Sequence, residues 1–180
     1  MQTEFSSAFL TDLKEKAHFP QRLYKNFWLK KQWRCSETEL LQANQTYQRG
    51  SDFFSASYSG EWLFLALSQE KIGVDLEIIK PRSPELLEKY SPALQHHFQV
   101  SDRNYFYLLW TAKEAVLKAS NRNNLDLIEN ISLSSAQVQK QRIGQFSFHW
   151  QIQLDFEGKS YIVWSGIQDQ LCYSLASLAY

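Results

Sequence analysis

The sequence predicts an α+β fold built on antiparallel sheets. Three observations lead there. Apolar runs with strand character gather in two blocks, residues 52–79 and 146–179, rather than alternating with helices. One long segment between them, Ser101 to Ala119, has helical spacing of its apolar residues. The turns inside the blocks, such as Ser59-Gly60 and Glu157-Gly158, are short, as antiparallel neighbours require.

Each element has its own signal. Phe9, Leu10, Leu13 and Ala17 have a spacing that predicts a short amphipathic helix. Ser36-Glu37-Thr38-Glu39 is a capping box before Leu40 and Leu41, so a second helix starts there. Asp52 to Tyr58, Trp62 to Ser68 and Lys71 to Ile79 read as three strands, with tight turns at Ser59-Gly60 and Gln69-Glu70. Ser83 before Pro84 predicts a helix start, since proline suits the first helical position. Ser101-Asp102 opens the long helix, in which Phe106, Leu109, Trp110, Ala112, Val116 and Leu117 recur at helical spacing. Phe146, Phe148, Trp150, Ile152 and Leu154 alternate with polar residues, which predicts a strand with one buried face. Tyr161 to Ile167 and Leu171 to Ala179 complete the last block. No linker composition interrupts the 180 residues, so a single domain 1–180 is expected, with approximate halves 1–70 and 71–180.

Composition narrows the function. Nineteen Lys and Arg balance nineteen Asp and Glu, so the basic excess of a general nucleic-acid binder is missing. No apolar run approaches the ~18 residues that a membrane helix needs. The N-terminus has no basic region followed by an apolar core, so no signal peptide is expected and the protein reads as cytoplasmic. Cys35 and Cys172 form no metal-binding pair and are expected as free thiols. His18, His96, His97 and His149 show no ligand spacing and read as structural or surface residues. Lys25, Lys30, Lys31 and Arg34 form a basic cluster that is either a solvated face or a phosphate-binding patch.

Two segments carry chemistry. In Ile72-Gly73-Val74-Asp75-Leu76-Glu77, the two carboxylates lie two apart on a strand and share a face, while Val74, Leu76 and Ile78 face a core. Alone, the pair reads as a solvated strand face beside a lysine. The alternative is a site for a hard divalent cation, Mg²⁺ or Mn²⁺. In Trp110-Thr111-Ala112-Lys113-Glu114-Ala115-Val116-Leu117-Lys118, residues 110, 114 and 118 share a helix face. Alone, Glu114 and Lys118 read as a surface ion pair. Together the segments offer three carboxylates and two lysines, which suits phosphoryl transfer.

The two segments, in this order, resemble the paired signature of the 4'-phosphopantetheinyl transferases. The resemblance runs from about Phe53 to Leu125 and points to a short surfactin-type member. It implies a pseudo-twofold fold of two similar halves with coenzyme A held between them. It implies a Mg²⁺ (or Mn²⁺) ion on Asp75, Glu77 and Glu114, and phosphate contacts from Lys118 and Lys113. The implied activity is of the holo-[acyl-carrier-protein] synthase kind. The 4'-phosphopantetheine group passes from coenzyme A to a serine of an acyl or peptidyl carrier protein, and 3',5'-ADP leaves. Glu114 is the implied general base and Lys118 the catalytic cation. A degenerate member that binds coenzyme A or a carrier protein without transfer is the alternative. A monomer with no membrane or nucleic-acid partner is expected.

Phe54-Ser55-Ala56-Ser57-Tyr58-Ser59-Gly60 sits where the larger members read F-N-[IL]-S-H-S-G. The resemblance thus implies coenzyme A contacts at Ser57, Tyr58 and Ser59, with Tyr58 replacing a histidine that meets the 3'-phosphate. Lys31, Arg34 and Arg49 are further candidates for phosphate and adenine contacts from the first half. Asn121 and Asn123 stand where the family has glycines, and asparagine tolerates the left-handed backbone such a turn needs. The carrier protein is expected to dock along 121–136 through Leu125, Leu127 and Ile128.

Overall fold

The computed structural model describes residues 5–12, 21–90, 92–122, 124–143 and 146–180. Among the described residues, nine strands form two antiparallel sheets. The first sheet has the order β1-β4-β3-β2, with β1 at Phe5–Asp12, β2 at Gln48–Arg49, β3 at Asp52–Ser59 and β4 at Trp62–Ser68. The second has the order β5-β9-β8-β7-β6, with β5 at Ile72–Ile78, β6 at Ser132–Ile143, β7 at Phe146–Phe156, β8 at Lys159–Gln168 and β9 at Leu171–Leu178. All strands of the first sheet precede residue 70 and all strands of the second follow it. The α+β class read from the sequence is the class observed.

Helices cover the outer faces. Helix α1 (Gln21–Trp33) and helix α2 (Glu37–Thr46) bury Trp28, Leu29, Trp33, Leu40 and Ala43 against Phe54, Leu63, Leu65 and Leu67 of the first sheet. The opposite side of β4 packs Phe64 and Ala66 against Ile72, Val74 and Leu76 of β5 and Tyr173 and Leu175 of β9. Burial on both faces explains why Trp62 to Leu67 is continuously apolar rather than alternating. On the far side of the second sheet lies α5 (Asp102–Ala119), preceded by α3 (Pro84–Tyr90) and α4 (Pro92–Gln95). Its Ala112, Ala115, Val116 and Ala119 join Ile152, Leu154, Val163, Cys172 and Ala176 in one cluster. Both caps follow the sequence signals. Ser36 and Glu39 make the reciprocal capping box, and the Ser101 side chain accepts from the Asn104 N–H.

Two expectations are corrected, and two elements went unpredicted. Phe9 and Leu10 lie in strand β1, which pairs with β4 from Asp12↔Trp62 to Phe5↔Ser68, not in a helix. Two apolar neighbours in a short window fit either period, and pairing with the buried β4 decides for the strand. Leu13 and Ala17, like His18, lie outside the described residues. The bend at Gln69-Glu70 does not join paired strands. It carries the chain from β4 to β5 in the other sheet, where Ile72↔Ser177 to Ile78↔Leu171 form the ladder. Helix α1 and strand β6 were not predicted at all. Strand β6 is mostly exposed on both faces and is held by its ladder to β7, so no apolar alternation marks it. Cys35 and Cys172 are buried free thiols, as expected. Among the described residues, no helix is long and apolar enough to cross a membrane.

Candidate functional site

The site is assembled where β5 leaves the edge of the second sheet beside β3, under helix α5. Alternation along β5 sends Val74 and Leu76 into the core between the sheets and leaves Asp75 and Glu77 on the other face. Gly73 lets α5 approach that face. A Cβ there would fall 1.9 Å from the Ala115 carbonyl oxygen. The helix is also tied down from beneath. Thr111 Oγ1 lies 2.7 Å from Ser174 Oγ, and Ser174 Oγ lies 2.8 Å from Ser165 Oγ. Ser174 is the ladder partner of Asp75.

This close seat brings Glu114 to the strand pair. One carboxylate oxygen from each of Asp75, Glu77 and Glu114 lies within 4.8 Å of the others. Two unit charges at that distance repel by roughly 3 kcal/mol at an effective dielectric constant of ~20. Lys118, one turn beyond Glu114, supplies one cation. Its ammonium lies 2.7 Å from Asp75 Oδ1. One lysine does not balance three carboxylates, and the titration of the group reflects this. Burial, then the charge of Asp75, pushes Glu114 up to about 7, while Lys118 and a hydrogen bond from the Trp110 side chain pull it back. Glu77 is raised by burial and by Asp75, against a hydrogen bond from Ser59 and the charges of Arg82 and Lys118.

The donor set fits a hard divalent cation. Asp75 is 2% exposed, and its Oδ2 has no hydrogen-bond partner among the described residues. A buried, unsatisfied carboxylate oxygen is costly unless a cation completes it. Three converging oxygens of this kind suit Mg²⁺ or Mn²⁺.

Two cavities flank the group. One of about 450 Å³ opens between the end of α2, the start of β3 and the end of α5, with Lys71, Lys118, Tyr47 and Asn121 in its wall. Asn121 adopts φ +58°, the left-handed turn the sequence suggested, whereas Asn123 lies outside the described residues. The other cavity, about 100 Å³, is lined by Glu114, Leu117, Lys118, Arg122 and Leu125.

The chain belongs to the 4'-phosphopantetheinyl transferase superfamily. The family so described matches residues 71–176, which span β5, α5 and the rest of the second sheet. The chain is 36% identical over 75 residues to the 4'-phosphopantetheinyl transferase ffp of Bacillus subtilis, covering 38% of this chain and 33% of that protein. It is 24% identical over 130 residues to the 4'-phosphopantetheinyl transferase Sfp of Bacillus subtilis, covering 66% and 56%. It is 40% identical over 83 residues to a putative 4'-phosphopantetheinyl transferase of Synechocystis, covering 42% and 34%. The matched stretches thus span between a third and just over half of these relatives' lengths.

Of the residues singled out in the sequence, Asp75, Glu77, Glu114, Lys118, Ser57 and Ser59 stand together. Ser57 and Ser59 reach the carboxylates themselves. Tyr58 alternates to the other face of β3 and packs against the α1–α2 cluster. Lys113 lies about 100° around the helix from Glu114. Its ammonium donates to the Ile128 carbonyl at 3.2 Å and sits over the Tyr90 ring, away from the carboxylates. Arg49 clamps α1 to α2 through the Trp33 carbonyl (2.9 Å) and Glu39 (3.1 Å). Lys31 and Arg34 are exposed on and just after α1, and Lys30 pairs with Glu37. Of the expected carrier contacts, Leu125 is exposed, but Ile128 is buried and Leu127 packs on the core. Sequence reasoning missed Lys71 in the cavity wall and the Trp110 bond to Glu114, although the shared helix face of residues 110 and 114 pointed to the latter.

Proposed function

We propose that the protein transfers the 4'-phosphopantetheine group of coenzyme A to a serine of an acyl or peptidyl carrier protein, releasing 3',5'-ADP. The single observation that carries this is the trio Asp75, Glu77 and Glu114 within 4.8 Å, with Lys118 at its edge. Asp75, Glu77 and Glu114 would hold Mg²⁺ or Mn²⁺, which supplies counter-charge for the phosphates of coenzyme A. Lys118 offers a charge-assisted hydrogen bond to a phosphate oxygen as negative charge builds there. The larger cavity, with Lys71 and Lys118 in its wall, suits the nucleotide end of the donor. The smaller one leads from the exposed Leu125 to Glu114 and suits the carrier serine.

In the reaction a bond forms between the serine oxygen and the phosphorus next to pantetheine. The phosphoanhydride bond to 3',5'-ADP breaks, and its electron pair leaves on that product. Glu114, directly or through a water, accepts the serine proton. The chain is read as one monomeric domain, its two sheets in the halves 1–70 and 71–180. Purified protein incubated with coenzyme A, Mg²⁺ and a panel of apo carrier proteins should add one phosphopantetheine group to at least one carrier, read by intact-protein mass spectrometry. Unchanged masses across acyl and peptidyl carriers would reject the activity.

A further inference from the structure

Strands β3 and β5 belong to different sheets, and no backbone ladder joins them among the described residues. Three serine hydroxyls do so instead. Ser55, Ser57 and Ser59 alternate along β3 and project from one face. Ser55 Oγ accepts the Val74 N–H at 2.9 Å. Ser57 Oγ donates to Asp75 Oδ1 at 2.8 Å and accepts from the Lys118 ammonium at 3.2 Å. Ser59 Oγ donates to Glu77 Oε2 at 3.3 Å and accepts the Ile78 N–H at 3.0 Å.

The two oxygens of Asp75 are held differently. Asp75 Oδ1 is taken by both Ser57 and Lys118, while Oδ2 has no hydrogen-bond partner among the described residues. A carboxylate is planar, so fixing one oxygen and its donor direction fixes where the other points. We propose that Ser57 and Ser59 are positioning residues that select which oxygens of Asp75 and Glu77 face the divalent cation. These two ligands would then come from the second sheet and their orienters from the first. A hydroxyl suits this place because one small atom donates to the carboxylate while accepting from Lys118 or the Ile78 N–H. Alanine at 57 leaves Oδ1 to the lysine alone, and partners of this indirect kind typically change metal affinity ~10–100-fold. The inference rests on the metal reading above.

Ser55 provides the internal control, since it belongs to the same serine row but bonds backbone rather than a carboxylate. The test is Mn²⁺ binding to the full chain, followed by electron paramagnetic resonance of the free ion, alongside thermal melting. Ser57→Ala should raise the Kd for Mn²⁺ about tenfold or more, and Ser57→Thr should return it to within about threefold of wild type. Ser59→Ala should weaken binding less, because its bond to Glu77 is longer. Ser55→Ala should lower the melting temperature and leave the Kd unchanged. Should Ser57→Ala not fold, Ser59→Ala reads the same effect at Glu77. Wild-type affinity in both alanine variants, or equal weakening by Ser55→Ala, overturns the proposal while the metal reading stands. Failure of the wild type to bind Mn²⁺ overturns both.

Discussion

Replacing Gly73 with alanine tests whether the seat of α5 sets the site. The position has ordinary backbone angles, so space and not strain decides the outcome. The new Cβ would meet the Ala115 oxygen at 1.9 Å and the Ala119 nitrogen at 2.5 Å. Both are backbone atoms and cannot swing aside. Ordinary contact is ~3.5 Å, so α5 must retreat by about 1–1.5 Å. Overpacking of this kind typically lowers stability by about 1–3 kcal/mol, or roughly 2–10 °C in Tm for a chain of this size. The functional effect is larger, because Glu114 and Lys118 ride on the helix that moves. A misplacement of ~1 Å in a catalytic constellation lowers rate by about 100-fold. Gly166→Ala is the matched control. Its Cβ would also clash, at 2.5 Å from the Tyr173 ring and 2.7 Å from the Ser147 oxygen, but it does not touch α5. Transfer rate and Tm measured for both variants should show similar destabilisation and a rate loss only for Gly73→Ala. A Gly73→Ala protein with near wild-type rate would refute the view that this contact sets the site.

Two other perturbations address the carboxylates and the docking rim. Glu114→Gln should abolish transfer while retaining the fold. Without metal, Glu114 keeps its proton to about pH 7 when folded, against 4.5 unfolded, so wild-type stability falls as pH rises through that window. The variant should match wild type near pH 4 and exceed it above pH 7 by on the order of 1–2 kcal/mol, discounted for solvent at this half-buried group. Urea denaturation in metal-free buffer at both pH values measures this, and a less stable variant at high pH would contradict it. Leu125→Asp should raise the KM for the carrier protein about tenfold and leave that for coenzyme A unchanged, since Leu125 is exposed at the rim beside Glu114. Steady-state kinetics with each substrate varied in turn separates the two.

Most of the second sheet and the site helix were legible because their residues carry their own signals. Strand β7 alternates because one face is buried, and α5 announces itself by the Ser101 cap and its apolar stripe. The acidic trio was legible because two carboxylates sit two apart on a strand and a third lies one turn before a lysine. What was hidden depends on tertiary placement. Strand β6 is held by its partner rather than by a buried face of its own. Helix α1 is dense in basic residues, and its anchors Trp28, Leu29 and Trp33 show their role only against the first sheet. The serines of β3 gain their role only because β5 crosses to the other sheet and stops beside them. Lys113 could have been set aside from sequence, since it does not share the face of residues 110, 114 and 118.

The strand that backs the site comes last in order among the described strands. Asp75 lies opposite Ser174, about 100 residues later in the chain, and β9 is inserted between β5 and β8. During synthesis, at ~5–20 residues per second, β5 therefore waits several seconds or more for β9, its ladder neighbour among the described residues. Contacts of such long sequence separation are slow to form, because loop closure precedes any gain from pairing. The ladder that backs Asp75 and Glu77 is therefore complete only once β9 has entered between β5 and β8.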